Sequence, residues 1–162
     1  MIRPRRTRPA ARCSAGVLAV ALLAAGCMGS GGGGASSGRQ TLTRSQYVNA
    51  AGIICRRYQQ QIGGLKPSTD LAKLAAQGAR AVALERAELR DLRRLAPPAE
   101  DAAAIDRMLA AADAGVAAAD AVVSAARSGN LAAVASAAVT LRDRLAEANR
   151  LAKPLGLDVC AA

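Results

Sequence analysis

The chain has 162 residues, 52% of them apolar, which suffices for one globular domain with a core and is thin for two. Lysine and arginine number 22 against 12 aspartate and glutamate, a net charge of +10, but Arg3, Arg5, Arg6, Arg8 and Arg12 crowd the first twelve residues and leave 17 against 12 in the remainder. Phe, Trp and His are absent and Tyr47 and Tyr58 are the only aromatic residues, which excludes histidine general bases, most zinc and haem sites and the aromatic platforms that stack single-stranded bases.

The N-terminus reads as a processing signal. Basic residues reach to Arg12, an apolar run of eleven follows from Ala15 to Ala25, and small residues and a cysteine come next. A transmembrane helix needs about twenty apolar residues, so this run fits a signal-peptide core and is too short for a permanent span. Arg5 and Arg6 lack the apolar residues that a twin-arginine export signal carries just after its pair.

The segment Leu23-Ala24-Ala25-Gly26-Cys27 resembles a bacterial lipobox. The resemblance implies that residues 1–26 are removed and that Cys27 is diacylated and becomes the mature N-terminus. The alternatives are ordinary signal cleavage or an uncleaved anchor. Residues 27–39 are rich in Gly and Ser, a composition that buries nothing and behaves as a flexible tether reaching about 20 Å. The expected location is therefore outside the cell membrane, lipid-anchored, with residues 40–162 as the folded domain.

Four cysteines sort by compartment. Cys13 leaves with the leader and Cys27 takes the lipid, so Cys55 and Cys160 remain in an oxidising setting and form one disulfide. The competing reading is a soft-metal or redox pair, which the lack of a C-x-x-C spacing and of histidine disfavours.

Residues 40–162 carry a helical pattern throughout, with 34 alanines among 123 residues and no alternating strand pattern. Thr43 and Gln46 form a capping box, with Leu42 and Tyr47 as its hydrophobic staple. The first helix turns Tyr47, Ala51, Ile54, Cys55, Tyr58 and Ile62 inward and stops at Gly63-Gly64. A second helix is expected from about Ser68 to Leu95, with Leu71, Leu74, Ala75, Val82, Leu89 and Leu92 inward and Pro97-Pro98 as its terminator. The third begins at that proline pair with Glu100 and Asp101 in its first turn and runs to Gly129, burying Ile105, Leu109, Ala112, Val116, Ala119 and Val123. Asn130 caps a fourth, with Leu131, Val134, Ala138, Leu141, Leu145 and Ala148 inward as far as Pro154. Short turns between long amphipathic helices give an all-α, up-down antiparallel four-helix bundle, its C-terminal tail folded back to the first helix by the disulfide.

Leu42-Thr43 before Tyr47, Ile54-Cys55, the Leu95-Ala96-Pro97-Pro98 turn and Leu155-Gly156-Leu157 ahead of Cys160 together resemble a group of small exported proteins and lipoproteins common in actinobacteria. The resemblance implies export, helices and a paired Cys55 and Cys160, and brings no catalytic residue with it.

Three constellations remain. Asp106, Asp113 and Asp120 stand seven apart in one column, about 10.5 Å between neighbours, too far to share a calcium ion or to act as a glycosidase pair. They read as a salt-bridged flank: a hairpin centred on Pro97-Pro98 brings Arg86 level with Asp106, and Arg142 or Lys153 can meet the column elsewhere. Glu85 is the only charge on the row 71, 75, 78, 82, 85, 89, 92, and faces the core. It needs a donor or a raised pKa, and the hydroxyls of Tyr47 and Tyr58 or an arginine of the first helix are the candidates. A di-iron site needs histidines that the chain lacks, so no metal or cofactor is expected. Arg86, Arg90, Arg93 and Arg94 crowd the end of the second helix, as a solvated face or as a patch for anionic lipid head groups and envelope polymers. Nucleic acid is a poor partner without aromatic interleaving.

The function expected from these readings is a non-catalytic binding domain tethered to the membrane, recognising an envelope protein or anionic polymer through the arginines. The alternative is a carrier that holds a lipid in the bundle core. An enzyme assembled from Glu85, the aspartates and a tyrosine ranks third.

Overall fold

The computed structural model of the chain describes residues 40–66 and 68–160. The expected signal, Cys27 and the expected tether lie outside the described residues. Four helices follow one another, α1 (Arg44–Gly63), α2 (Leu71–Leu92), α3 (Ala102–Arg127) and α4 (Leu131–Ala152), then single 3-10 turns at Lys153–Leu155 and Asp158–Cys160, and no strand occurs among the described residues. The fold is an all-α, up-down antiparallel four-helix bundle in which sequence neighbours pack together, α1 on α2, α2 on α3 and α3 on α4.

The helix starts follow side-chain chemistry. At α1 the Thr43 hydroxyl accepts from the Gln46 amide at 3.3 Å and the Gln46 side chain accepts from the Thr43 amide at 2.9 Å, so two orphan donors are satisfied reciprocally. Leu42 packs on the core that holds Tyr47, and its amide donates to the Ala96 carbonyl, seating the start of α1 on the α2–α3 connection. Helix α2 begins three residues later than expected, because Asp70 is the cap that accepts from the Lys73 amide at 2.9 Å, while Ser68 accepts from Asp70 ahead of it. It also ends three residues earlier, at Leu92: the proline pair disfavours helical backbone before it, and residues 93–101 form an irregular connection. Glu100 and Asp101 therefore precede α3 and are not in its first turn. Asp101 makes no capping bond and pairs with Arg44 at 3.4 Å. At the other end Asn130 caps α4 as expected, accepting from the Ala133 amide at 3.0 Å.

The core joins Tyr47, Ala51 and Cys55 of α1, Val82, Leu89 and Leu92 of α2, Ile105, Met108, Leu109, Val116 and Val123 of α3, and Leu155 and Leu157 beyond α4. Helices α2 and α3 approach closely at Gly78, where an added Cβ would lie 2.8 Å from a methyl of buried Val123. Central α3 is the one described helix long and apolar enough to cross a membrane by length and composition, and here it packs against both α2 and α4.

The fourth helix departs from its expected stripe. Ala148 and Ala152 are buried, but Leu131 is 68% exposed, Leu145 38%, and Ala138 is exposed as well. The reason is its neighbourhood: α4 rests on α3 and on the residues that follow it, and makes little contact with α1 or α2. The seam between α1 and α4 is occupied by the tail. Gly156 takes a left-handed conformation, φ +73°, that turns the chain back, and Leu157, 1% exposed, plugs the core. The Gln59 amide then donates to the Val159 carbonyl, and Cys160 joins Cys55 with 5.1 Å between Cα atoms, which settles the pairing as a disulfide.

Candidate functional site: a cavity in the bundle

The expected arginine patch is largely occupied from within. Arg86 pairs with Asp120 and Arg93 with Asp113, both across the α2–α3 interface, and Arg94 reaches Asp91 at 3.0 Å. Arg90 is exposed and makes no ion pair among the described residues. The expected level pairing of Arg86 with Asp106 does not form. Residues 93–101 are no tight hairpin, so α3 is slid along α2 and Arg86 meets Asp120, two aspartates further along the column. Asp113 and Asp120 are thus salt-bridged as read from the sequence, whereas Asp106 has no ion pair among the described residues. Arg142 lies 3.7 Å from Asp143 on its own helix and does not reach the column. Such exposed pairs contribute no more than about 1 kcal/mol each.

Asp91 is the hub of a small network. The Tyr58 hydroxyl donates to it at 2.8 Å, Arg57 donates to the same oxygen, and the Arg57 guanidinium stands 4.7 Å from the Tyr58 ring centroid. The tyrosine hydrogen bond foremost, helped by Arg57 and Arg94, holds the Asp91 carboxyl below its ordinary range against the opposing effect of burial. Tyr58 is therefore committed to Asp91 and does not serve Glu85. Tyr47 is enclosed in the core, and burial together with the charge of Asp106 pushes its hydroxyl up to about 12.

Glu85 has no hydrogen bond or ion pair among the described residues, so the expected tyrosine or arginine partner is not found. It faces a cavity of about 590 Å³ that draws its walls from every helix and from the tail. Gln59 and Ile62 come from α1; Glu85, Glu88, Leu89 and Leu92 from α2; Met108, Leu109, Ala112 and Val116 from α3; Leu145, Ala148, Asn149 and Ala152 from α4; and Asp158, Val159 and Cys160 from the tail. The cavity exists because the tail, and not α1, faces α4. A short connector cannot fill the volume that a helix with large side chains would, and α3 and α4 offer alanines where the lining needs bulk. Its volume falls in the range of small-molecule sites, and its lining of aliphatic side chains with a few polar groups has their usual character.

Glu88 is the polar residue that the sequence reading missed. It lies one turn beyond Glu85 on α2, and side chains three apart on a helix are neighbours, about 5–6 Å between Cβ atoms. Burial raises the carboxyl of Glu85, while burial first and the Glu85 charge second push Glu88 up to about 7. The sign of the resulting stability effect follows directly. Between the unfolded value of 4.5 and about 7, the folded state holds a proton that the unfolded state has lost, so stability falls as pH rises across that window and is level above it. Glu88→Gln is expected to flatten this slope and to raise the melting temperature at pH 8 by about 3 °C, since solvent in the cavity mouth leaves roughly 1 kcal/mol of the effect. Thermal melts from pH 4.5 to pH 8 check it, and a variant profile parallel to the wild type would refute it.

Compared with protein-family models, with curated proteins and with solved structures, the chain finds no match.

Proposed function

We propose that the chain is an exported, lipid-anchored binding domain, without catalytic function, whose ligand is a small apolar molecule or lipid held in the bundle cavity. The observation that carries this reading is the 590 Å³ cavity with aliphatic walls at the meeting of four helices. Of the two kinds of partner considered from sequence, a surface partner on the arginines and a ligand in the core, the cavity favours the second. Arg86, Arg93 and Arg94 are already engaged by aspartates, and Arg90 alone makes a poor anchor.

The reading is tested with the full chain and the fluorescent apolar probe 1-N-phenylnaphthylamine. Ala112→Trp, which fills the cavity from α3, and Ala148→Leu, a smaller filling from α4, are each expected to remove most of the fluorescence gain while far-UV circular dichroism is unchanged. Joint replacement of Arg86, Arg90, Arg93 and Arg94 by Gln is expected to leave probe binding within about twofold of wild type. Equal binding by wild type and both filled variants would overturn the proposal, as would loss of binding in the arginine variant alone.

A further inference from the structure

The two glutamates in the cavity point to the class of ligand. Glu85 and Glu88 occupy successive turns of one face of α2, both border the cavity, and neither has a hydrogen bond or ion pair among the described residues. Three other carboxylates of α2 and α3 are treated differently, Asp106 alone sharing the lack of an ion pair among the described residues of these two helices. Asp91, Asp113 and Asp120 each hold an arginine, and no cation is paired with Glu85 or Glu88 among the described residues. A half-buried carboxylate pair without a protein cation is electrostatically incomplete, and the side facing it is apolar space. Asp158 on the tail borders the same cavity and adds a third acidic group.

A fatty acid or a phosphate-bearing lipid would bring its negative head group toward like charges. An ester or ketone would bring only acceptors to groups that, when ionised, only accept. An ammonium brings both the missing charge and N–H donors, and hydrogen bonds between ionised partners are the strong ones. We propose that the cavity selects a lipophilic amine, its ammonium seated between Glu85 and Glu88 and its hydrocarbon chain lying over Leu89, Met108, Leu109 and Val116. This rests on the cavity-binding reading above and adds the chemistry of the head group to it. The overall positive charge of the chain does not oppose it, because Arg86, Arg93 and Arg94 are neutralised in place, Arg90 is solvent-exposed, and long-range repulsion is screened beyond about 8 Å at physiological ionic strength.

The test is isothermal titration calorimetry at pH 8 on the full chain, with three probes of one chain length: octylamine, octanol and octanoate. Octylamine is expected to bind at least about tenfold tighter than octanol, with octanoate weakest. The double variant Glu85→Gln, Glu88→Gln is expected to bring octylamine down to the octanol level and to leave octanol within about twofold of its wild-type affinity, which also shows that the cavity is intact. Each single variant is expected to lose part of the preference. Equal affinity for octylamine and octanol in the wild type, or tightest binding of octanoate, would overturn the amine proposal while leaving the cavity as a ligand site. Failure of all three probes to bind would instead overturn the cavity reading on which the proposal rests.

Discussion

Cys160→Ser is expected to lower the melting temperature of the domain by about 10 to 20 °C. The Cys55–Cys160 bond spans 105 positions and encloses nearly the whole bundle. In the chain-entropy model a loop of that length restricts the unfolded ensemble by about 4.7 kcal/mol, and at a few degrees per kcal/mol for a domain of this size the shift follows. The folded side adds to it. Without the bond, the tail is held by Leu157 in the core and by the Gln59 hydrogen bond to Val159, and helix α4 has little else between itself and α1. Reductant should shift wild type to the variant's melting temperature and leave the variant unmoved. A loss under about 2 °C, or a variant that still responds to reductant, would show that the bridge does not support the fold.

Cys27→Ala is expected to move the protein from the membrane fraction to the soluble envelope fraction almost completely. Each buried methylene of an acyl chain contributes about 0.8 kcal/mol, so one chain binds only marginally and two hold stably. A diacylated Cys27 would be such a double anchor, and the Gly/Ser-rich residues after it offer little apolar side chain to replace it. Fractionation of cells making each form decides the matter. If the alanine variant is cleaved and exported yet sediments with membranes as fully as wild type, the lipobox assignment is wrong.

The two parts of the molecule were unequally legible. Thr43 with Gln46, Asn130, and the stripe of Tyr47, Ala51, Cys55 and Tyr58 announced themselves because capping and helical periodicity are local, and Cys55–Cys160 followed from counting sulfurs. Where α2 stops and how far α3 slides past it depend on an irregular connection, and periodicity carries no information about irregular backbone. The Arg86 to Asp120 pairing was invisible for that reason. The exposed side of α4 misled in another way: Leu131 and Leu145 repeat at core spacing, yet spacing does not say whether a partner helix stands opposite. Glu85 was flagged because it interrupts an apolar row. Glu88 lies on the flank of that row, where a charge is ordinarily solvated, and only the cavity beside it gives it meaning. The cavity itself is a property of how four helices and a tail fail to fill space, which no single segment encodes.

The position of Cys160 after all four helices also means that the bridge can close only once the whole bundle sequence has been made. A chain made from its N-terminus exposes Cys55 long before its partner exists, and during that interval Cys13 and Cys27 are the only other thiols in the sequence. Any association of α1 to α3 before Cys160 is made is therefore noncovalent, held by contacts between helices that are neighbours in sequence.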